Sequence, residues 1–335
     1  MARIVLGAGT SHSPLLTLPA QEWVNRSAAD LVNPHLNLSD GRFVSYAQLQ
    51  AEVGDRYADE ASAAQLEAKA AACQAALDRL ADDIEQADPD VVVIVGDDQQ
   101  ELFSADNQPA VAVYFGDEVV TSDRFGAEEL PDWVRDMGRG YLMDEVHRLP
   151  GARALALEVI ESLIEQDIDV AVCGVVSDPH KAAFGHAYGF IAKRLLRGRK
   201  RPILPILLNT YYPPNVPGPA RCFAIGRALR HALEASPLDL RIAVIASGGL
   251  SHFVVDEALD RSVLDALQRG DEAWLKAIPR AALNSGSSEI LNWVLVAGAI
   301  GRLPFAWSDY QPIYRTPAGT GVGAAVAVWR SADEA

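Results

Sequence analysis

The chain is poor in the residues that build metal clusters and disulfide frameworks. Its 335 residues hold three cysteines, Cys73, Cys173 and Cys222, far apart and with no CxxC pair. An odd, scattered set of this kind predicts reduced thiols in a cytoplasmic protein rather than a zinc site or a disulfide scaffold. Basic charge is also short: 29 Lys and Arg stand against 45 Asp and Glu, a formal charge of −16. That balance excludes nucleic acid and anionic membrane as main partners, because phosphate binding needs a basic surface. No apolar run reaches the roughly 18 residues of a membrane span. The opening stretch lacks an A-x-A cleavage site and reads as a strand, not a signal peptide. There is no internal repeat and no low-complexity tract. Histidine is scarce too, with seven in all, so each can be weighed singly.

What is present is an alternation of strand and helix patterns. Arg3–Leu6 is β-rich and runs into a polar loop ending at His12. Residues 19–54 show no clean period and read as an irregular insertion with one short helix. In Ala61–Ala87, Leu66, Ala70, Cys73, Leu77, Leu80 and Ile84 recur at helical spacing, and Asp88-Pro89-Asp90 ends the run. Val91–Val95 is continuously apolar and mostly β-branched, the mark of a strand buried on both faces. The alternation continues with a helix at 154–166, strand 169–176, helix 186–197, strand 203–208, helix 221–235 and strand 241–246. Helices at 257–268 and 289–300 and a last strand at 321–329 follow. Pro205 places the 203–208 strand near an edge or a bulge. The pattern predicts an α/β fold, a single mainly parallel sheet with helices on both faces, in one domain covering 1–335. The segment 104–150 is the expected place for a lid or a subunit interface.

Polar residues collect just beyond the predicted strand ends: His12; Asp97, Asp98 and Gln99; His180 and His186; His252 and Glu257. In open parallel sheets those ends line the ligand crevice. Each also has a plainer reading. His12 sits in ordinary turn chemistry, Asp97-Asp98 suits a helix N-cap, and His186 lies among aromatics that suit a core. The Gly-Gly turn before His252 lacks the lysine and spacing of a phosphate loop. His35, His147 and His231 read as surface or structural. Two imidazoles and a carboxylate on one face leave open positions on a divalent transition metal, the pattern of non-haem Fe(II) oxygenases. A ligand set drawn from His12, Glu257 and a residue of the 97–101 turn, with one imidazole, fits a divalent metal as well.

Five stretches in order carry a family resemblance: S-H-S-P at 11–14, P-D-V-V-V-I-V-G-D-D-Q at 89–99, F-G-H-A-Y-G-F at 184–190, S-G-G-L-S-H-F at 247–253 and S-G-S-S-E-I-L-N-W at 285–293. The chain resembles the class III (LigB-type) extradiol ring-cleavage dioxygenases, near the protocatechuate 4,5-dioxygenase β-subunit and the gallate and 3-O-methylgallate dioxygenases. The resemblance implies a mononuclear Fe(II) held by two His and one Glu, a catechol- or gallate-type substrate, O2, and a homo-oligomer. It assigns His12 and Glu257 as metal ligands, His186 as acid/base, and His252 beside metal or substrate. The second ligand histidine of better-known members falls where this chain has Gln99, with Gln100 next to it. Asp98, His180, Tyr211 and Phe253 are the expected substrate contacts. A different metal-dependent hydrolase or lyase, or a non-catalytic scaffold on the same fold, are the alternatives.

Overall fold

The computed structural model describes residues 1–331. A nine-stranded mixed sheet forms its centre. In chain order the strands are β1 (Arg3–Thr10), β2 (Val91–Asp97), β3 (Val111–Tyr114), β4 (Ala171–Cys173), β5 (Ile203–Leu208), β6 (Arg241–Ser247), β7 (His252–Val254), β8 (Phe305–Tyr314) and β9 (Thr320–Arg330). Across the sheet they lie β7-β9-β1-β6-β2-β5-β3-β4, with β8 also paired to β9. The central four, β1, β6, β2 and β5, are all parallel. The flanks bring in antiparallel pairs, β9 against β1, β7 and β8 and β3 against β5, while the edge pair β3–β4 is again parallel. The α/β fold read from the sequence is therefore present, with its parallel block at the centre of the sheet.

The continuous apolar runs follow from this position. Along β2, Val91, Val93 and Val95 enter one core, while Val92 and Ile94 enter the other. A two-residue period with helices on both faces leaves no polar face to supply. Each such side chain, fully buried, contributes about 1.5–3 kcal/mol. Helices Arg153–Glu165, Pro219–Ala235, Glu257–Arg269 and Ile290–Ile300 add side chains to the first core, and Ala63–Ala87 covers the second. Ile290–Ile300 lies so close to β1 that a Cβ on Gly9 would meet the Trp293 ring at 2.4 Å.

Two expectations change. Pro205 sits inside the sheet, between β2 and β3, not at an edge. It is tolerated because β3 pairs only with Ile206–Leu208, so that side of the ladder ends before the proline. Residues 19–54 hold more order than their weak periodicity suggests. Helix Trp23–Leu31, a ladder of Leu36–Asn37 with Phe43–Val44, and helix Tyr46–Val53 with a Ser45–Gln48 capping box all lie there. Buried Trp23 anchors this stretch through its indole, which donates to the Leu15 carbonyl at 2.9 Å. Strand β8 and the short β3 carried no clear sequence signal. Among the described residues no helix is long and apolar enough to cross a membrane.

Candidate active site

The carboxyl ends of β1, β6, β2 and β5 open into a cavity of about 480 Å3. This is the crevice that the parallel topology provides. His12 follows β1 and is buried. Its Nδ1 lies 3.0 Å from the Ser247 Oγ at the end of β6. That hydroxyl donates its own hydrogen to the Ala187 carbonyl at 2.6 Å. It has only a lone pair left for His12, so Nδ1 carries a proton and Nε2 is the atom turned to the cavity. The Nε2 lies 3.2 Å from Glu289 Oε2 and 3.9 Å from Asp97 Oδ1.

Asp97 ends β2 and is completely buried. Burial first, and the neighbouring Glu289 second, push its carboxyl above the usual range. Its Oδ1 has no hydrogen-bond partner among the described residues, a costly state for a buried polar atom. Glu289 closes a short 3-10 turn at the N-terminus of Ile290–Ile300, where a carboxylate suits the helix dipole. The Gly249 amide donates to its Oε2 at 2.6 Å. Burial works to raise the Glu289 carboxyl, but His252 and His12 hold it well below its ordinary value. His252 Nε2 is 3.4 Å from Glu289 Oε1, and its Nδ1 is 3.0 Å from the Leu250 carbonyl. Gly249 and Gly286 leave room for that ring, since a Cβ on either would come within 2.7 Å of it.

His186 packs edge-on to His12, with ring centroids 4.5 Å apart. Its Nδ1 meets Glu101 Oε1 at 2.8 Å, and its Nε2 is 3.9 Å from Asp97 Oδ2. Desolvation acts to lower the imidazole, but Glu101, then Asp97 and Glu289, carry it up to about 10. Gln99 directs its Nε2 at Asp97 Oδ2 (3.1 Å) and Glu289 Oε1 (3.4 Å). Tyr211, Tyr212, Phe125 and Phe253 supply aromatic walls. Arg26, Arg124 and Arg315 also reach the cavity. Arg315 is occupied by Asp30, through two bonds of 2.8 and 3.0 Å. Arg26 has no hydrogen bond or ion pair among the described residues, and burial followed by repulsion from Arg315 lowers its guanidinium.

The structure thus brings together His12, Gln99, His186, His252, Tyr211 and Phe253. It does not bring Glu257, Asp98 or His180 to them. Glu257 opens helix Glu257–Arg269 and faces away from the cavity, bound to the Tyr314 hydroxyl at 2.7 Å and to Arg261 at 2.7 Å. The carboxylate in the cavity is Glu289, within the 285–293 stretch. The sequence signal for it was a single charged residue heading the apolar run ILNWVLVAGAI. Asp98 turns back to cap its own loop, accepting from the amides of Glu101, Leu102 and Phe103. His180 lies in a separate surface cleft, 67% exposed, with Nδ1 2.6 Å from Asp123 Oδ2. Arg26 and Tyr141 line the cavity without any role assigned from the sequence, and Asp97 and Glu101 entered that reading only as unspecified members of the 97–101 turn.

The nitrogen and oxygen atoms of His12, Asp97 and His186 lie within 4.8 Å of one another. Imidazole and carboxylate donors converging on a partnerless carboxylate oxygen suit a divalent cation. The chain matches the family described as the catalytic LigB subunit of aromatic ring-opening dioxygenase over residues 60–323. It belongs to the LigB family. It is similar to a gallate dioxygenase of Pseudomonas putida, 32% identical over 109 residues, which cover 29% of this chain and 32% of that one. It is also similar to 2,3-dihydroxyphenylpropionate/2,3-dihydroxicinnamic acid 1,2-dioxygenases. The one from Mycobacterium ulcerans is 36% identical over 29% of each chain, and the one from Xanthobacter autotrophicus 25% identical over 53% of this chain and 48% of its own. The chain spans about half or less of the length of these relatives.

Proposed function

We propose that this LigB protein is an Fe(II)-dependent extradiol dioxygenase that opens the ring of a catechol- or gallate-type substrate with O2. The observation that carries the reading is the meeting of His12, Glu289 and His186 around one cavity at the strand ends. His12 Nε2 and Glu289 would hold the metal. Bound there, iron supplies Lewis acidity and a template for two adjacent ring oxygens and dioxygen.

The chain's own groups do the rest. The aromatic walls take the ring and exclude water. Arg26, a half-buried cation with no side-chain hydrogen bond or ion pair among the described residues, and Arg124 offer a counter-charge to a substrate carboxylate. They reconcile an anionic substrate with a −16 surface. His186 Nε2 moves protons to and from substrate oxygen, while Glu101 steadies the ring through Nδ1. The unpaired thiols suit a cytoplasmic location. Exposed Val24, Leu31, Val32 and Phe43 supply apolar surface for a homo-oligomer.

The test is anaerobic loading with Fe(II), followed by oxygen uptake with gallate, protocatechuate and 3-O-methylgallate. Uptake with a yellow ring-opened product is expected. No uptake with any catechol would overturn the reading.

A further inference from the structure

A cation between His12 and Glu289 needs further ligands, and the loop after β2 offers two side chains, Asp97 and Gln99. Their geometry differs. Gln99 turns its NH2 group toward two carboxylates, at 3.1 and 3.4 Å. The opposite amide orientation would set its carbonyl oxygen against two anionic oxygens, so the donor side is the one that faces in. An amide NH2 does not ligate a metal. Asp97 is the reverse case: Oδ2 accepts from Gln99, while Oδ1 is buried with no hydrogen-bond partner among the described residues. That Oδ1 lies on the His12 Nε2 side, at 3.9 Å, and Glu289 Oε2 is 3.2 Å from the same nitrogen. Ligand atoms at about 2.0–2.2 Å from one ion are spaced by roughly 3–4 Å from each other, which both separations satisfy.

We propose that Asp97 supplies the third protein ligand, making a centre of one imidazole and two carboxylates in which Gln99 is a positioning residue that hydrogen-bonds both carboxylates. The inference rests on the reading that the cavity holds a divalent metal, not on the reaction performed there. Two carboxylates cancel the charge of a dication outright, where a two-histidine, one-carboxylate set leaves one positive charge. The donors are also harder, so the centre favours Fe(II) and Mn(II) over softer ions relative to a histidine-rich site. In this arrangement His186, its Nδ1 engaged by Glu101, is left outside the ligand set with Nε2 for substrate.

The experiment uses the full-length protein stripped of metal. Fe(II) and Mn(II) are titrated anaerobically by competition with a chromophoric chelator, and thermal melts check the fold of each variant. Asp97→Asn is expected to weaken binding by about a hundredfold or more, and Gln99→Ala by about tenfold, as for loss of an outer-shell partner. Electron spin-echo spectroscopy of the Mn(II)-loaded wild type should count one coordinated imidazole, a result that does not depend on any variant folding. Wild-type affinity in folded Asp97→Asn, or two coordinated imidazoles, would overturn the ligand assignment alone. Failure of the wild type to bind either metal would overturn the metal reading with it.

Discussion

Tyr141 donates its hydroxyl to the backbone carbonyl of His12 at 2.6 Å, and both residues are buried. A residue from the 104–150 segment therefore steadies the chain at the imidazole that follows β1. Tyr141→Phe strands a buried carbonyl. It should cost about 1–3 kcal/mol of stability, measured by denaturant unfolding, and weaken metal binding in the same titration. An unchanged midpoint would show that the bond is dispensable.

The two glutamates separate cleanly. Glu289→Gln removes a charge from the centre and should abolish tight metal binding. Glu257→Gln removes only the charge of a helix-surface pair with Arg261 and keeps an oxygen that can accept from Tyr314. It should leave metal affinity unaltered and cost no more than about 1 kcal/mol. Chelator competition on both variants decides between them, and loss of metal in Glu257→Gln would reinstate the ligand set expected from sequence.

Arg26 is a test of substrate charge. Arg26→Met should raise KM for catechols bearing a carboxylate by roughly 10- to 100-fold, the worth of a hydrogen bond to a charged group. Catechol itself should be little affected. Equal effects on both substrates would assign Arg26 a structural role.

His186 gives a pH signature in the metal-free protein. Its folded pKa, up to about 10, lies above the unfolded value of 6.5. The stability it contributes is complete below about pH 6.5 and is lost as pH rises toward 10. Glu101→Gln removes the largest raising influence, so the imidazole should titrate at lower pH and the alkaline loss, which starts near pH 6.5 in both proteins, should be smaller and complete at lower pH. Histidine NMR titration reads the midpoint, and melts between pH 6 and 10 read the stability. A midpoint unmoved in Glu101→Gln would contradict the assignment.

Much of the fold was legible because a doubly covered sheet writes itself in apolar runs and amphipathic helices. Val91–Val95 and the Leu66–Ile84 stripe could be read directly. The β8–β9 pair was half hidden, since β8 is partly exposed and mixes polar with apolar residues. That His12, Gln99, His186 and His252 gather at one cavity was legible from their place after strands. The carboxylate was misread because Glu257 also follows a strand and heads a helix, and only packing reveals which of two such glutamates turns inward. Asp97 and Asp98 are adjacent and chemically alike. The alternation along β2 turns one toward His12 and His186 and leaves the other to cap the loop, which no composition argument distinguishes. Arg26 lies in a stretch without periodicity, so nothing in the sequence tied it to the strand ends.

His12, Asp97 and Glu289 come from the beginning, the first third and the last seventh of the chain. An ion shared among them would act as a non-covalent staple across three distant segments that are otherwise joined by strand pairing, helix packing and a few hydrogen bonds. Its loading would then be readable as mechanical integrity. Each tenfold rise in free metal above its dissociation constant adds about 1.4 kcal/mol against unfolding, and a protease would find the loaded chain harder to open.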